Sequence, residues 1–189
     1  MQQTLKKNTL ELIKILDSIH EYNPILENYA QLLVNCFRNN GKVILAGNGG
    51  SCADCQHIVG EFVGRFMIER PTLPAMSLTA DTAVLTCIGN DYGFDELFSR
   101  QINGLYNEYD VVWMLSTSGE SKNLIKLAEV CKMNNFRTIS FLGKTGGGLG
   151  EIVENPLIIK NTITARIQEV HMLLAHSLIE KVEAEIFDV

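Results

Sequence analysis

Two side chains of complementary chemistry, His57 and Glu61, lie four residues apart in a segment with helical periodicity. That spacing places both on one face of a helix, about one turn apart. An imidazole and a carboxylate in this arrangement can bind a metal ion together or share acid–base work. Ordinary surface pairs have the same spacing, so the pair alone leaves both interpretations open.

A second group of polar side chains lies in a long predicted helix near the carboxyl end of the chain, at Gln168, Glu169, His171 and His176. On that helix His171 and His176 point about 140° apart, so they should not share a site. Taken singly, each histidine is more often a packed or surface residue than a ligand.

The best candidate for an anion site is the segment Ser116–Ser121, which reads STSGES and precedes a predicted helix. Its four hydroxyls belong to Ser116, Thr117, Ser118 and Ser121, and a helix N-terminus adds free N–H groups and a favourable dipole. A helix cap needs one hydroxyl, so four favour a phosphate. Because no Gly-Lys-Ser/Thr follows, the segment does not indicate nucleotide hydrolysis.

A glycine-rich loop, Gly47–Ser51, follows the first predicted strand. Glycines let the backbone approach a ligand closely, and Ser51 with Asp54 three residues later is a good helix start. A tight turn that binds nothing explains the loop equally well. The spacing is not G-x-G-x-x-G, which argues against a dinucleotide.

The five cysteines include the pair Cys52 and Cys55, spaced as in a redox motif. The preceding Gly-Gly-Ser does not fit a redox fold, and a zinc site with His57 would lack a second cysteine pair. We therefore interpret these cysteines as incidental core or near-surface residues.

The composition predicts one globular domain, with N-terminal helices over residues 1–40 and a core with a final helix over residues 41–189. A net charge of -6 argues against a broad basic surface for nucleic acid. The N-terminal segment lacks the apolar stretch of a signal peptide, and no apolar run is long enough to span a membrane. The odd number of scattered cysteines does not resemble a disulfide framework, so we expect a cytoplasmic protein.

Strand-like and helix-like segments alternate along the chain, which predicts a doubly wound α/β fold with a parallel sheet flanked by helices. Two leading helices are expected at about 5–20 and up to 39. Strands are expected at 42–46, 75–78, 111–115, 138–142 and 157–159, the fourth followed by a glycine-rich turn. The intervening helices are expected at 51–66, 81–101 (broken at 89–93), 122–133 and 164–186. In such sheets ligands bind beyond the carboxyl ends of the strands.

Five motifs occur in a fixed order along the chain: GNGGS at 47–51, QHIVGEFVGRF at 56–66, CIGNDYGF at 87–94, STSGES at 116–121 and ARIQEVHMLLAH at 165–176. In this order they closely resemble the phosphoheptose isomerases of the sugar-isomerase (SIS) domain family. The resemblance covers nearly the whole chain. It implies the SIS fold, a homotetramer, and conversion of sedoheptulose 7-phosphate to D-glycero-D-manno-heptose 7-phosphate, the first step of nucleotide-activated heptose synthesis for lipopolysaccharide, capsule or glycoprotein.

The resemblance also implies roles for individual residues. Glu61 and His176 match the catalytic pair, and one Zn²⁺ per subunit is implied at His57, Glu61, Gln168 and His176. Substrate contacts are implied at Asn48, Gly49, Gly50, Ser51, Glu61, Asn90, Asp91, Ser116, Thr117, Ser118, Ser121 and Gln168. Some relatives carry an acidic residue at the position of Ala165, so no role is expected there.

Two other functions compete with the enzyme. A relative of similar length is an adaptor that binds the bacterial replication initiator, but its positions matching Glu61 and His176 do not keep the acid–base pair. A sugar-phosphate-sensing regulatory domain is usually fused to a DNA-binding module, and the chain shows none. The presence of both Glu61 and His176 favours the isomerase.

The implied ligands Gln168 and His176 are eight residues apart on one predicted helix. Their backbones are therefore separated by about 12 Å along the axis and by a rotation of about 80°. A zinc ion lies about 2 Å from each ligand atom, so one straight helix cannot easily supply both. Either the helix is kinked, although no Pro or Gly lies between the two residues, or one ligand comes from a neighbouring chain. We expect the second arrangement, a site shared between subunits, with Glu61 and His176 acting from different chains.

Overall fold

The carboxyl-terminal edge of a five-stranded parallel sheet carries both candidate loops. The computed structural model describes residues 1–188. The strands are β1 (Val43–Gly47), β2 (Ala75–Ser77), β3 (Val111–Ser116), β4 (Arg137–Gly143) and β5 (Leu157–Ile159). Their order across the sheet is β2-β1-β3-β4-β5, and every pair is parallel. This confirms the predicted doubly wound fold.

The helices cover both faces of this sheet. They are α1 (Gln2–Leu16), α2 (Asn23–Arg38), α3 (Gly50–Val63), α4 (Thr82–Asp91), α5 (Ser99–Leu105), α6 (Lys122–Met133), α7 (Gly147–Ile152) and α8 (Thr164–Phe187). Helices α1, α2, α3 and α8 share one hydrophobic core on one face of the sheet, and α4 to α7 share a second core on the other.

Burial on both faces explains why the central strands are continuously apolar. All residues of β1 and β3 are buried, as in parallel sheets covered by helices on both sides. The chain reverses its winding between β1 and β3, which are adjacent in space. Such a switch point opens a crevice at the carboxyl ends of the two strands, where the loops 47–51 and 116–121 begin.

Pro24 lies in the first turn of α2, where its missing N–H costs nothing. Two elements differ from the sequence-based expectation. The glycine-rich turn after β4 contains the short helix α7, which starts at Gly147. Helix α3 ends at Val63 instead of Phe66. Over residues 1–188, no helix has both the length and the apolar character needed to cross a membrane.

His171 is enclosed in the core between α8 and β4. Its Nε2 lies 3.0 Å from the Leu142 carbonyl oxygen. Burial lowers the pKa of His171 to about 4, since a charged imidazole is poorly solvated there, although the bond to Leu142 opposes this shift. His171 is thus a neutral core residue and is separate from the histidines considered for chemistry.

We predict that His171 makes the fold sensitive to acid. Between about pH 6.5 and pH 4 the unfolded chain binds a proton at His171 that the folded chain does not, so stability falls as pH falls. His171→Gln keeps a donor for Leu142 and removes the titration. Between pH 7 and pH 4.5 the variant should lose about 2 kcal/mol less unfolding free energy than the wild type, measured by urea denaturation. Equal losses in both proteins would contradict the assignment.

Candidate active site

Helices α3 and α8 pack side by side and run in the same direction. The Gln168 side chain lies beside Gly50 at the start of α3, and His176 lies beside Glu61 three turns later. Gln168 therefore lies near the start of α3, and His176 lies nearer its end. The candidate residues accordingly form two groups along α3, one at the start of the helix and one around Glu61.

The far end of α3 carries a compact cluster of His57, Glu61 and His176. One ligand atom from each residue lies within 4.8 Å of the others. The His57 Nε2 is 2.9 Å from Glu61 Oε1, and the rings of His57 and His176 meet edge to face with centroids 5.2 Å apart. The ring of Phe66 stacks on His176 at 5.3 Å and closes one side of the cluster.

The cluster has the donor chemistry of a zinc site. The Nε2 atom of His176 is buried and has no hydrogen-bond partner among the described residues. A buried polar atom without a partner is costly, which indicates a ligand at that position. Two imidazoles and one carboxylate form a donor set that catalytic zinc sites use, with a fourth position left for substrate or water. The residues present therefore fit a zinc ion.

The serine-rich loop between β3 and α6 is folded so that its hydroxyl groups keep their donor capacity. Ser116 Oγ accepts the Gly119 N–H at 3.0 Å, and Ser118 Oγ accepts the Glu120 N–H at 3.1 Å. Ser121 precedes α6, and within residues 1–188 its hydroxyl makes no capping bond to the helix. Because these hydroxyls accept rather than donate inside the loop, their protons are available to an anion.

A paired amide connects the two loops across the crevice. The Nδ2 of Asn48 donates to Asn123 Oδ1, and the Nδ2 of Asn123 donates to Asn48 Oδ1, both at 2.9 Å. Asn123 is buried near the start of α6. The pair holds the loop 47–51 against the loop 116–121. Asn123 could not be predicted as a site residue from the sequence, because an asparagine in the first turn of a helix has no distinctive local pattern.

Gln168 lies beside the start of α3 and, on α8, about two turns before His176. A Cβ atom at position 50 would overlap the Gln168 amide, so glycine is required there for this approach. The Asp54 carboxyl lies beside the same amide. Burial raises the pKa of Asp54, although the nearby Gln168 amide and His57 oppose the shift. From the sequence, Asp54 is predicted only to help start a helix. Its burial beside Gln168 depends on the packing of α8, which the local sequence does not specify.

Asn90 and Asp91 form the carboxyl end of α4, on the opposite face of the sheet from α3. Both side chains are exposed, and Asn90 Nδ2 donates to Asp91 Oδ1 at 2.7 Å. Neither forms a hydrogen bond to another candidate residue within the described part of the chain. Their expected contact with substrate stays a prediction.

Cys55 is fully buried against the sheet. Burial raises the pKa of its thiol well above the usual range. A redox dithiol needs the opposite shift, since the thiolate is the reactive form. The geometry therefore supports the interpretation of Cys55 as a core residue.

The expectation that Glu61 and His176 act from different chains is wrong. The structure places both in one cluster within a single chain, because α3 and α8 are parallel and in register. Gln168 and His176 remain eight residues apart on α8, which corresponds to about 12 Å along the axis. Gln168 contacts Gly50 and Asp54 on α3, and Asp54 lies three residues before His57.

Comparison with known proteins gives a consistent family. The SIS domain family matches residues 10–143. A phosphoheptose isomerase from Geobacter sp. (strain M21) is 46% identical over 167 residues, which are 88% of this chain and 87% of that protein. One from Sulfurimonas denitrificans is 40% identical over 190 residues, 99% of this chain and 97% of that protein.

Solved structures agree with the sequence relatives. The structure of a phosphoheptose isomerase from Neisseria gonorrhoeae superposes with a TM-score of 0.90 at 35% identity, over 97% of this chain and 98% of that chain. One from Francisella tularensis gives the same TM-score at 31% identity, over 96% of this chain and 97% of that chain. The chain therefore belongs to the phosphoheptose isomerase family of SIS-domain proteins.

Proposed function

We propose that the chain is an aldose–ketose isomerase that converts sedoheptulose 7-phosphate to D-glycero-D-manno-heptose 7-phosphate. The observation that carries this proposal is the cluster of His57, Glu61 and His176, which brings a carboxylate and an unpartnered imidazole nitrogen together. Family membership supports the same reaction, since the sequence relatives described above are phosphoheptose isomerases.

The reaction moves a proton between two neighbouring carbons of the sugar through an enediol. Glu61 is suited to take the proton from C1 and return it to C2. His176 is suited to give a proton to the carbonyl oxygen at C2 and to take one from the C1 hydroxyl as the aldehyde forms. Because Glu61 Oε1 is occupied by His57, the other carboxylate oxygen is the one available to the substrate. The loop 116–121 would hold the phosphate and so fix which carbons face Glu61.

The same cluster would hold the zinc ion that we propose as a cofactor. His57, Glu61 and His176 are the ligands that one chain brings together, and an ion held there would supply Lewis-acid stabilisation of negative charge on the sugar oxygen. Because a zinc-bound carboxylate or imidazole is a poorer base or acid, Glu61 and His176 would act when the ion shifts away from them, or the ion would mainly orient them. The phenyl ring of Phe66 stacks on His176 and excludes water from one side of its ring. Electrostatic interactions of His176 Nε2 are stronger where water is excluded.

We further propose that the site is shared between copies in a homotetramer. Gln168 lies beside Gly50 at the start of α3, and on α8 it is eight residues from His176, about 12 Å along the helix axis. If Gln168 completes the ligand set of the cluster, it must come from a neighbouring chain. The loops 47–51 and 116–121 would come with it, since Gln168 contacts Gly50.

The proposed reaction also suggests the pathway that uses its product and the cellular compartment of the enzyme. Its product would feed synthesis of nucleotide-activated heptose for lipopolysaccharide or capsule, and we place the enzyme in the cytoplasm. The adaptor function considered from the sequence does not require an acid–base cluster, so the cluster of His57, Glu61 and His176 favours the enzyme.

Removing the proposed base tests the reaction directly. Glu61→Gln keeps the shape of the side chain and removes its basicity, so turnover of sedoheptulose 7-phosphate should fall by about 10²- to 10⁴-fold. Glu69→Gln is the matched control, since the Glu69 side chain is 91% exposed and lies beside Arg65 outside the cluster. Product formation is followed by NMR, with and without a chelator. Turnover of Glu61→Gln near the wild-type rate would show that another group is the base.

Removing two hydroxyls from the serine-rich loop tests the phosphate site. Ser116→Ala with Ser118→Ala deletes two donors to a dianion, at about 1.5–3 kcal/mol each. Substrate affinity, measured by calorimetry, should therefore weaken by well over tenfold. Ser177→Ala is the control, because its hydroxyl bonds only the Leu173 carbonyl on α8. Unchanged affinity in the folded double variant would place the phosphate elsewhere.

A further inference from the structure

A buried ion pair, Arg70–Glu183, lies one to two helical turns from the cluster of His57, Glu61 and His176. The Arg70 Nε is 2.6 Å from Glu183 Oε1, and the two side chains are only 1% and 2% exposed. A buried pair of this kind often contributes little net stability, because both charges lose their hydration. The role of this ion pair therefore follows from the groups that its two side chains hold in position.

The Arg70 guanidinium binds the carboxyl end of α3. Its Nη2 donates to the Glu61 carbonyl oxygen at 2.6 Å, and its Nη1 donates to the Phe62 carbonyl oxygen at 2.7 Å. Carbonyl groups in the last turn of a helix lack partners within the helix. Arg70 therefore fixes the backbone of Glu61, the residue proposed as the base.

The Glu183 carboxylate binds the segment that follows α3. Its Oε1 accepts the Phe66 N–H at 3.1 Å, and its Oε2 accepts the Met67 N–H at 2.9 Å. Phe66 is the residue whose ring stacks on His176. Glu183 therefore holds the aromatic wall of the cluster in position.

Glu183 also belongs to the same helix face as His176. The two residues are seven apart on α8, which is about two turns, with a rotation of only about 20°. The ion pair thus joins the backbone of Glu61, the ring of Phe66 and the helix that carries His176. These are the parts that must keep their spacing for the acid–base pair to work.

We propose that Arg70 and Glu183 are positioning residues for the Glu61–His176 pair. They act through the backbone of Glu61 and the ring of Phe66, and neither contacts the substrate. The rate readout rests on the isomerase activity proposed above, whereas the zinc and exchange readouts do not. An error of about 1 Å in the placement of catalytic groups can lower a rate by about a hundredfold.

Two conservative variants test the proposal. Glu183→Asp keeps the charge and both oxygens but withdraws them by one methylene, and Arg70→Lys keeps the charge but loses the planar fork. In both, kcat should fall about ten- to a hundredfold while KM changes less than about threefold, because the phosphate loop is untouched. Zinc affinity, measured by competition with a chromogenic chelator, should fall about tenfold or more.

A second buried carboxylate provides the matched control. Asp110 binds the Lys42 ammonium and accepts the N–H groups of Lys42 and Asn107, at the opposite edge of the sheet from the two loops. Asp110→Asn should lower the melting temperature as Glu183→Asp does, yet leave kcat and zinc affinity within about twofold of the wild type. This control distinguishes misplacement of Glu61 and His176 from a general loss of folding stability.

The wild-type protein gives a test that does not depend on the folding of any variant. The amides of Phe66 and Met67 should exchange slowly in wild type, and Zn²⁺ should slow them further by tightening the same contacts. Fast exchange at both amides would overturn the proposal, as would folded Glu183→Asp and Arg70→Lys with wild-type kcat and zinc affinity. If wild type itself shows no isomerase activity, the proposed function fails, while the exchange and zinc measurements still decide the positioning role.

Discussion

The parallel packing of α3 on α8 is the contact on which the chemistry of this chain depends. Helix α3 supplies His57 and Glu61, and α8 supplies His176 and Gln168. His57 and Glu61 pair within α3, but the three-residue cluster forms only where α8 adds His176. The contact is fixed at one end by the Gln168 amide against Gly50, and at the other by the buried ion pair of Arg70 and Glu183.

A second constraint comes from the order of the strands. The reversal between β1 and β3 places the loops 47–51 and 116–121 side by side at one edge of the sheet. The Asn48–Asn123 pair then holds them together. Because α3 starts at this edge and runs back toward the opposite one, the loops lie at its start, whereas His57 and Glu61 lie in its second half. The proposed sharing of the site between copies would bring the loops of one chain to the cluster of another.

Local patterns in the sequence predicted the parts of the fold that local physics determines. Apolar runs at 42–46 and 111–115 became buried central strands, and the hydroxyl-rich segment 116–121 lies where it was expected. Helix periodicity also placed His57 and Glu61 on one face. The glycine-rich turn after β4 was predicted without α7, since glycine is a poor helix former and only packing stabilises that helix.

Long-range contacts could not be predicted in the same way. Arg70 and Glu183 are separated by 113 positions, and nothing in the residues around either one signals a partner. The meeting of Glu61 with His176 depends on the direction in which two helices pack, which periodicity does not specify. For that reason the spacing of Gln168 and His176 led to the wrong assignment of which residues act from different chains.

Subunit exchange between inactive variants tests the central claim most directly. Glu61→Gln damages the cluster, and Gln168→Ala damages the group beside the loops. If the loops of one chain serve the cluster of its neighbour, mixed oligomers of these two variants recover activity. A mixture of Glu61→Gln with His176→Ala stays inactive, because both variants damage the same cluster. With exchange verified by mass spectrometry, recovery only in the first mixture is the predicted result. Recovery in the second mixture, or in neither, would contradict the account.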